Sequence, residues 1–207
     1  MALAGVVLAG GRSLRMGGDK ARLCVAGRPL IGWPIAALQA VVSPVYCVGG
    51  DGILAESLGV PHVPDRVADA GPLGGIQSAL RTLCSDVLVI GCDMPLVHPG
   101  LLNLIISADD CADAIVPVNA GEYEPLLALY RLPCLQAIEG ALASGRRRVA
   151  SFYSDVRLHL LGERAWRAVD PEGLSFLNVN TPRELDAVRC MLQEGRAWAS
   201  LATTANT

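Results

Sequence analysis

Thirteen residues near the start of the chain, Leu8-Ala-Gly-Gly-Arg-Ser-Leu-Arg-Met-Gly-Gly-Asp-Lys20, combine two glycine pairs with three cations. Gly10 and Gly11 permit close backbone approach and positive φ angles. Exposed N–H groups in such a loop cradle phosphate oxygens. Arg12, Arg15 and Lys20 add the positive charge that a triphosphate needs for compensation. Neither familiar phosphate motif fits, because Asp19 precedes Lys20 and Ala21 follows it, and Gly-x-Gly-x-x-Gly is absent. The bland alternative, a glycine turn with surface arginines, suits a lone Gly-Gly better than this concentration.

A second candidate is Asp93, in Leu88-Val-Ile-Gly-Cys-Asp-Met-Pro95. It closes an apolar run, and ligands gather at the carboxyl ends of parallel strands. A carboxylate there suits Mg²⁺, a hard cation that shares itself with phosphates; capping the turn before Pro95 is the competing role. Gly71-Pro-Leu-Gly-Gly-Ile76 opens a helix with free N–H groups and two glycines, which serves ligand approach or tight packing. Asn178 and Asn180, in Asn-Val-Asn-Thr-Pro, share one side if their segment is a strand. Arg146-Arg147-Arg148 is either a solvated face or an anion contact.

The elements that must position these residues alternate. Apolar runs predict strands over 5–8, 44–48, 60–63, 87–91, 114–118, 126–130, 158–161 and 177–179. Helices are expected over 29–40, 72–83, 99–108, 133–143 and 182–194, with Pro34 forcing a kink or a late start in the first. Thr181 and Glu184 form a capping box for the last. This alternation predicts an α/β fold with a mostly parallel sheet.

Composition narrows the class. The chain has 207 residues, 52% hydrophobic but only 4% aromatic, so the core must be aliphatic, as in a sheet covered by helices. A net charge of −3 argues against binding a nucleic-acid backbone. No apolar run reaches the length of a bilayer span. The start reads as a first strand and not as a signal peptide. Seven cysteines without a Cys-x-x-Cys pair read as buried thiols in a reducing cytoplasm, not as a zinc site. His62, His98 and His159 show no triad or metal spacing.

Together the motifs resemble the molybdenum cofactor guanylyltransferases, the MobA family of the nucleotidyltransferase superfamily. The resemblance rests on the first loop, Val63-Pro-Asp-Arg, Gly71-Pro-Leu-Gly-Gly, Cys92-Asp-Met-Pro, Glu124-Pro-Leu-Leu-Ala-Leu-Tyr130 (Gln is common at the first position), Arg146-Arg147-Arg148 and Asn178-Val-Asn-Thr-Pro, in order from about Ala4 to Arg189. One position departs: Val48-Gly49-Gly50-Asp51 stands where some relatives carry an asparagine near the nucleotide, and backbone of Gly49 or the Asp51 side chain is the substitute to look for.

The resemblance implies a Rossmann-like three-layer α/β/α sandwich, with residues 1–195 as one nucleotidyltransferase domain and 196–207 as a frayed tail. It implies transfer of GMP from GTP to molybdopterin carrying molybdenum, with release of pyrophosphate. Arg15, Lys20 and Asp93 would be catalytic, with Asp93 holding Mg²⁺. Leu8, Ala9, Gly10, Gly11, Lys20, Asp65, Gly74 and Asp93 would bind GTP, and Arg147, Asn178 and Asn180 would face molybdopterin. Molybdoenzyme maturation proteins would be further partners. The rivals are a cytidylyltransferase for the same cofactor, a sugar-phosphate nucleotidyltransferase, and a non-catalytic carrier of the cofactor.

Overall fold

The computed structural model describes residues 2–9, 20–67 and 69–194. Gly10, Gly11, Arg15 and the tail 196–207 therefore lie outside the described residues.

In chain order the elements are β1 (Leu3–Leu8), β2 (Cys24–Val25), β3 (Arg28–Pro29), α1 (Gly32–Gln39), β4 (Val45–Val48), α2 (Gly52–Ser57), β5 (His62–Val63), α3 (Gly71–Leu83) and β6 (Asp86–Gly91). Then follow α4 (Pro99–Ser107), β7 (Ala114–Asn119), β8 (Glu122–Tyr123), β9 (Leu127–Tyr130), α5 (Cys134–Ala143), β10 (Leu158–Leu161), α6 (Glu163–Trp166) and α7 (Pro182–Gln193). The main sheet runs in the order β10-β7-β9-β6-β1-β4-β5, with β8 paired to β7. The pairs β1–β4, β1–β6, β4–β5 and β7–β10 are parallel, whereas β9 runs antiparallel to both neighbours. The expected mostly parallel α/β sandwich is what forms.

Alternation along the strands builds two aliphatic layers. Val6, Leu8, Val87, Val89, Val116 and Ala128 meet α3 and α5 on one face. Val7, Leu88, Ile90, Ile115 and Leu127 meet α1 and α4 on the other. A third, smaller cluster joins Val25, Leu30 and Trp33 to Val179, Leu185, Val188 and Leu192, seating α7 on the β2–β3 hairpin.

Several sequence expectations need correction. The helix expected over 29–40 takes the late start that Pro34 allowed, at Gly32, so that Pro34 falls in its first turn, where a missing N–H costs nothing. Residues 177–179 form no strand; a 3-10 turn over Leu174–Phe176 leads into an extended segment. Helices α2 and α6 and strands β2, β3 and β8 were not expected.

The capping box is present. Thr181 Oγ1 accepts the Glu184 N–H at 3.3 Å, and Glu184 Oε2 accepts from Thr181 N–H at 2.8 Å and Asn180 N–H at 2.6 Å. Thr181→Ala is expected to cost about 1 kcal/mol, read as a lower urea midpoint at unchanged slope. An unchanged midpoint would show that the cap contributes nothing.

Candidate functional site

The strand order places a crevice. The chain runs outward from β1 to β4 and β5, then crosses back to β6 on the other side of β1. Ligands bind outside the carboxyl ends of strands at such a switch point. Leu8 is the last residue of β1, and its carbonyl accepts the Cys92 N–H at 3.1 Å. Ala9 continues the line by donating to Val48 O at 2.9 Å.

Lys20 sits at this point in a one-turn 3-10 segment. Its ammonium donates to Asp93 Oδ2 at 2.9 Å and to Asn180 Oδ1 at 2.8 Å. The contact with Asn180 spans 160 residues of sequence. A backbone clip supports it, because Val179 N–H donates to Asp93 O at 2.9 Å. Gly91 leaves room for the acid: a Cβ there would lie 2.7 Å from Asp93 Oδ1. Asn178 is turned to a different task, its amide contacting Phe176 O at 3.4 Å. The shared facing expected of the two asparagines rested on a strand that does not exist.

On the other side of β1 lies a second acid. Asp65 is solvent-exposed on one side but backs onto two glycines. A Cβ on Gly49, whose φ is +70°, would lie 2.6 Å from Asp65 Oδ2, and a Cβ on Gly75 would lie 3.7 Å from Oδ1. Partial desolvation raises the Asp65 pKa above the usual carboxylate value, opposed by the nearby His62. Gly75 also abuts Leu8, with a would-be Cβ 3.0 Å from its Cδ2, so the first turn of α3 closes on the end of β1. Gly74 is held by Ser78, whose hydroxyl donates to Gly74 O at 2.8 Å and accepts Arg66 N–H at 2.9 Å. Among the described residues no side chain caps the start of α3.

The substitutes expected for the missing asparagine both have partners. Gly49 N–H donates to Val63 O at 2.9 Å, and its carbonyl lies 3.2 Å from His62 Nε2. Asp51 caps α2 by accepting the Ile53 N–H at 2.9 Å and pairs with Arg22. The Arg22 guanidinium holds its carboxyl below the usual range.

Arg147 reaches the same edge from the layer of α3 and α5. Because β9 is antiparallel, α5 begins at the far edge of the sheet and ends at the crevice edge, where Arg147 donates to Asp69 O in the loop before α3. It thus meets the loop between Asp65 and α3, whereas Asn180 arrives with the cluster of α7. Glu124, at the carboxyl side of the β7–β8 hairpin, is half-buried, and burial raises its pKa against the lowering effect of Asn119.

Sequence reasoning missed Val179, Asn180's bond to Lys20, and the Arg22–Asp51 pair. Gly91 and Gly75, each inside a motif already noted, were the available signals for close approach.

The model of the MobA-like NTP transferase domain matches residues 5–158, well over half of the chain. The chain belongs to the MobA-like NTP transferase family. It is 37% identical over 198 residues to a probable molybdenum cofactor guanylyltransferase of Pelotomaculum thermopropionicum, covering 94% of this chain and 97% of that one. To a molybdenum cofactor guanylyltransferase of Desulfosudis oleivorans it is 31% identical, covering 94% and 98%. Among solved structures it is similar to molybdopterin-guanine dinucleotide biosynthesis protein A of Archaeoglobus fulgidus, with a TM-score of 0.81, 27% identity, and 92% and 99% coverage. A 2-C-methyl-D-erythritol 4-phosphate cytidylyltransferase of Thermus thermophilus, at 18% identity and a TM-score of 0.66, shares the fold.

Proposed function

We propose that this protein transfers GMP from GTP to molybdopterin carrying molybdenum, forming molybdopterin guanine dinucleotide and pyrophosphate. Family membership and full-length relatives named for this activity support the reading. The observation that carries it structurally is the convergence of Lys20, Asp93 and Asn180 at the switch point.

The oxygen pair of Asp93 and Asn180 fits Mg²⁺. A carboxylate and an amide oxygen already converge on one cation, and Mg²⁺ takes few protein oxygens when phosphates and water supply the rest. Among the described residues no group of three His, Cys, Asp or Glu offers a competing metal cage. When bound, Mg²⁺ would supply Lewis-acid neutralisation of the phosphate oxygens.

The chain's own residues orient the rest. A phosphate oxygen of molybdopterin attacks the α-phosphorus of GTP in line; the bond to the bridging oxygen breaks and pyrophosphate leaves with that electron pair. The attacking phosphate is already ionised, so no general base is required. Lys20, and Arg15 from the glycine loop, stabilise charge growing on the pyrophosphate. Leu8, Ala9, Gly10, Gly11 and Gly74 give close backbone approach, and Asp65 reads the base. Asn178 and Asn180 lie on the acceptor side, with Arg147 available to an anionic group. None of the seven cysteines is in a disulfide, which suits a reducing, cytoplasmic setting; no described helix is long and apolar enough to cross a membrane.

The test is incubation with each nucleoside triphosphate, Mg²⁺ and molybdopterin, following pyrophosphate and the dinucleotide product. GTP is expected to be preferred; preference for CTP would overturn the assignment.

A further inference from the structure

The same ammonium that closes the site also fills the position a metal ion needs. Lys20 Nζ lies 2.9 Å from Asp93 Oδ2 and 2.8 Å from Asn180 Oδ1. A divalent ion bonded to both oxygens at about 2.1 Å would have to enter the same gap. The Lys20 and Asp93 side chains are only 11% and 20% exposed, so water screens poorly between two cations held there. The pair of oxygens carries a single negative charge, since Asn180 is neutral. Glu184, whose carboxylate is influenced by Lys20, is committed to the N–H groups of Asn180 and Thr181. Among the described residues one cation is therefore compensated here, and a second is not.

We propose that Lys20 is the resident cation of the Asp93–Asn180 pair in the nucleotide-free protein, and that a divalent ion enters only together with a triphosphate. The phosphates bring the additional negative charge that lets both cations stay. The flexible stem of Lys20 carries its head from the two oxygens to the phosphates, while Asp93 and Asn180 turn to the metal. This rests on the assignment of Asp93 as a metal ligand made above. It makes Lys20 a gate on the order of binding as well as a phosphate contact.

The probe is Mn²⁺ alone, titrated into nucleotide-free protein and followed by loss of the free-ion EPR signal. Lys20→Met is expected to bind Mn²⁺ at least about tenfold more tightly than the wild type, an effect of 1.4 kcal/mol. Adding Asp93→Asn is expected to abolish that gain. Lys20→Gln, which keeps neutral hydrogen-bond donors between the two oxygens, repeats the test if circular dichroism shows the methionine variant unfolded. Equal Mn²⁺ affinity in wild type and the folded Lys20 variant overturns the proposal, as does a gain that survives Asp93→Asn. GMP transfer by the wild type is measured separately. An enzyme that transfers GMP without any Lys20 effect on the metal loses only this inference; a protein with that effect but no transfer loses only the proposed activity.

Discussion

Asp93→Ala is expected to lower turnover by about a hundred- to a thousandfold, the scale seen when one fixed electrostatic contact to a developing charge is removed, while the protein stays folded. The side chain lies in the turn just after β6 and holds up no core layer, and its backbone carbonyl, which accepts the Val179 N–H, survives the substitution. What disappears is the charged half of the oxygen pair, leaving Lys20 with Asn180 as its remaining side-chain partner among the three. Pterin binding should be largely retained. Pyrophosphate release is the decisive readout, since a carrier that merely hands on the cofactor predicts no dependence on Asp93. Release at near the wild-type rate would falsify the role assigned here.

Asp65→Asn is expected to lower kcat/KM for GTP by roughly ten- to a hundredfold, the 1–3 kcal/mol attached to a good bidentate base contact, and to narrow the preference over CTP. Guanine presents two neighbouring N–H donors on its pairing edge, which a carboxylate accepts with both oxygens. Cytosine presents acceptors beside its single amino group, and these oppose a carboxylate. An asparagine replaces one acceptor by a donor and loses the match. The raised pKa of Asp65 adds a pH signature. Protonation removes an acceptor, so guanine preference should fade as pH falls through a value above that of an ordinary aspartate. Unchanged discrimination in the variant would place base reading elsewhere.

Much of this was legible in the sequence because it is local. A glycine loop after an apolar strand, an acid after another, and a Thr-x-x-Glu cap each announce themselves within a few residues, and β1, β6 and α7 form as those patterns require. The direction of β9 was not legible, since a buried strand reads the same in either orientation. Helix α2 is six residues opening on a glycine, too short for a periodic pattern. Leu177-Asn-Val179 looked like a strand because its apolar residues alternate; in the fold Leu177 is partly exposed while Val179 packs into the third cluster. The bond from Lys20 to Asn180 depends on packing across most of the chain, and no short window contains it.

The clip between Val179 and Asp93 has a consequence for synthesis. The first strands, the glycine loop and Asp93 leave the ribosome long before Asn180, whose place is fixed by the docking of α7 on the β2–β3 hairpin. A nascent chain therefore holds Lys20 and Asp93 before the segment that brings Asn180 opposite them. On the proposed reading, the site becomes competent only when α7 settles on the hairpin, well after Asp93 has been made.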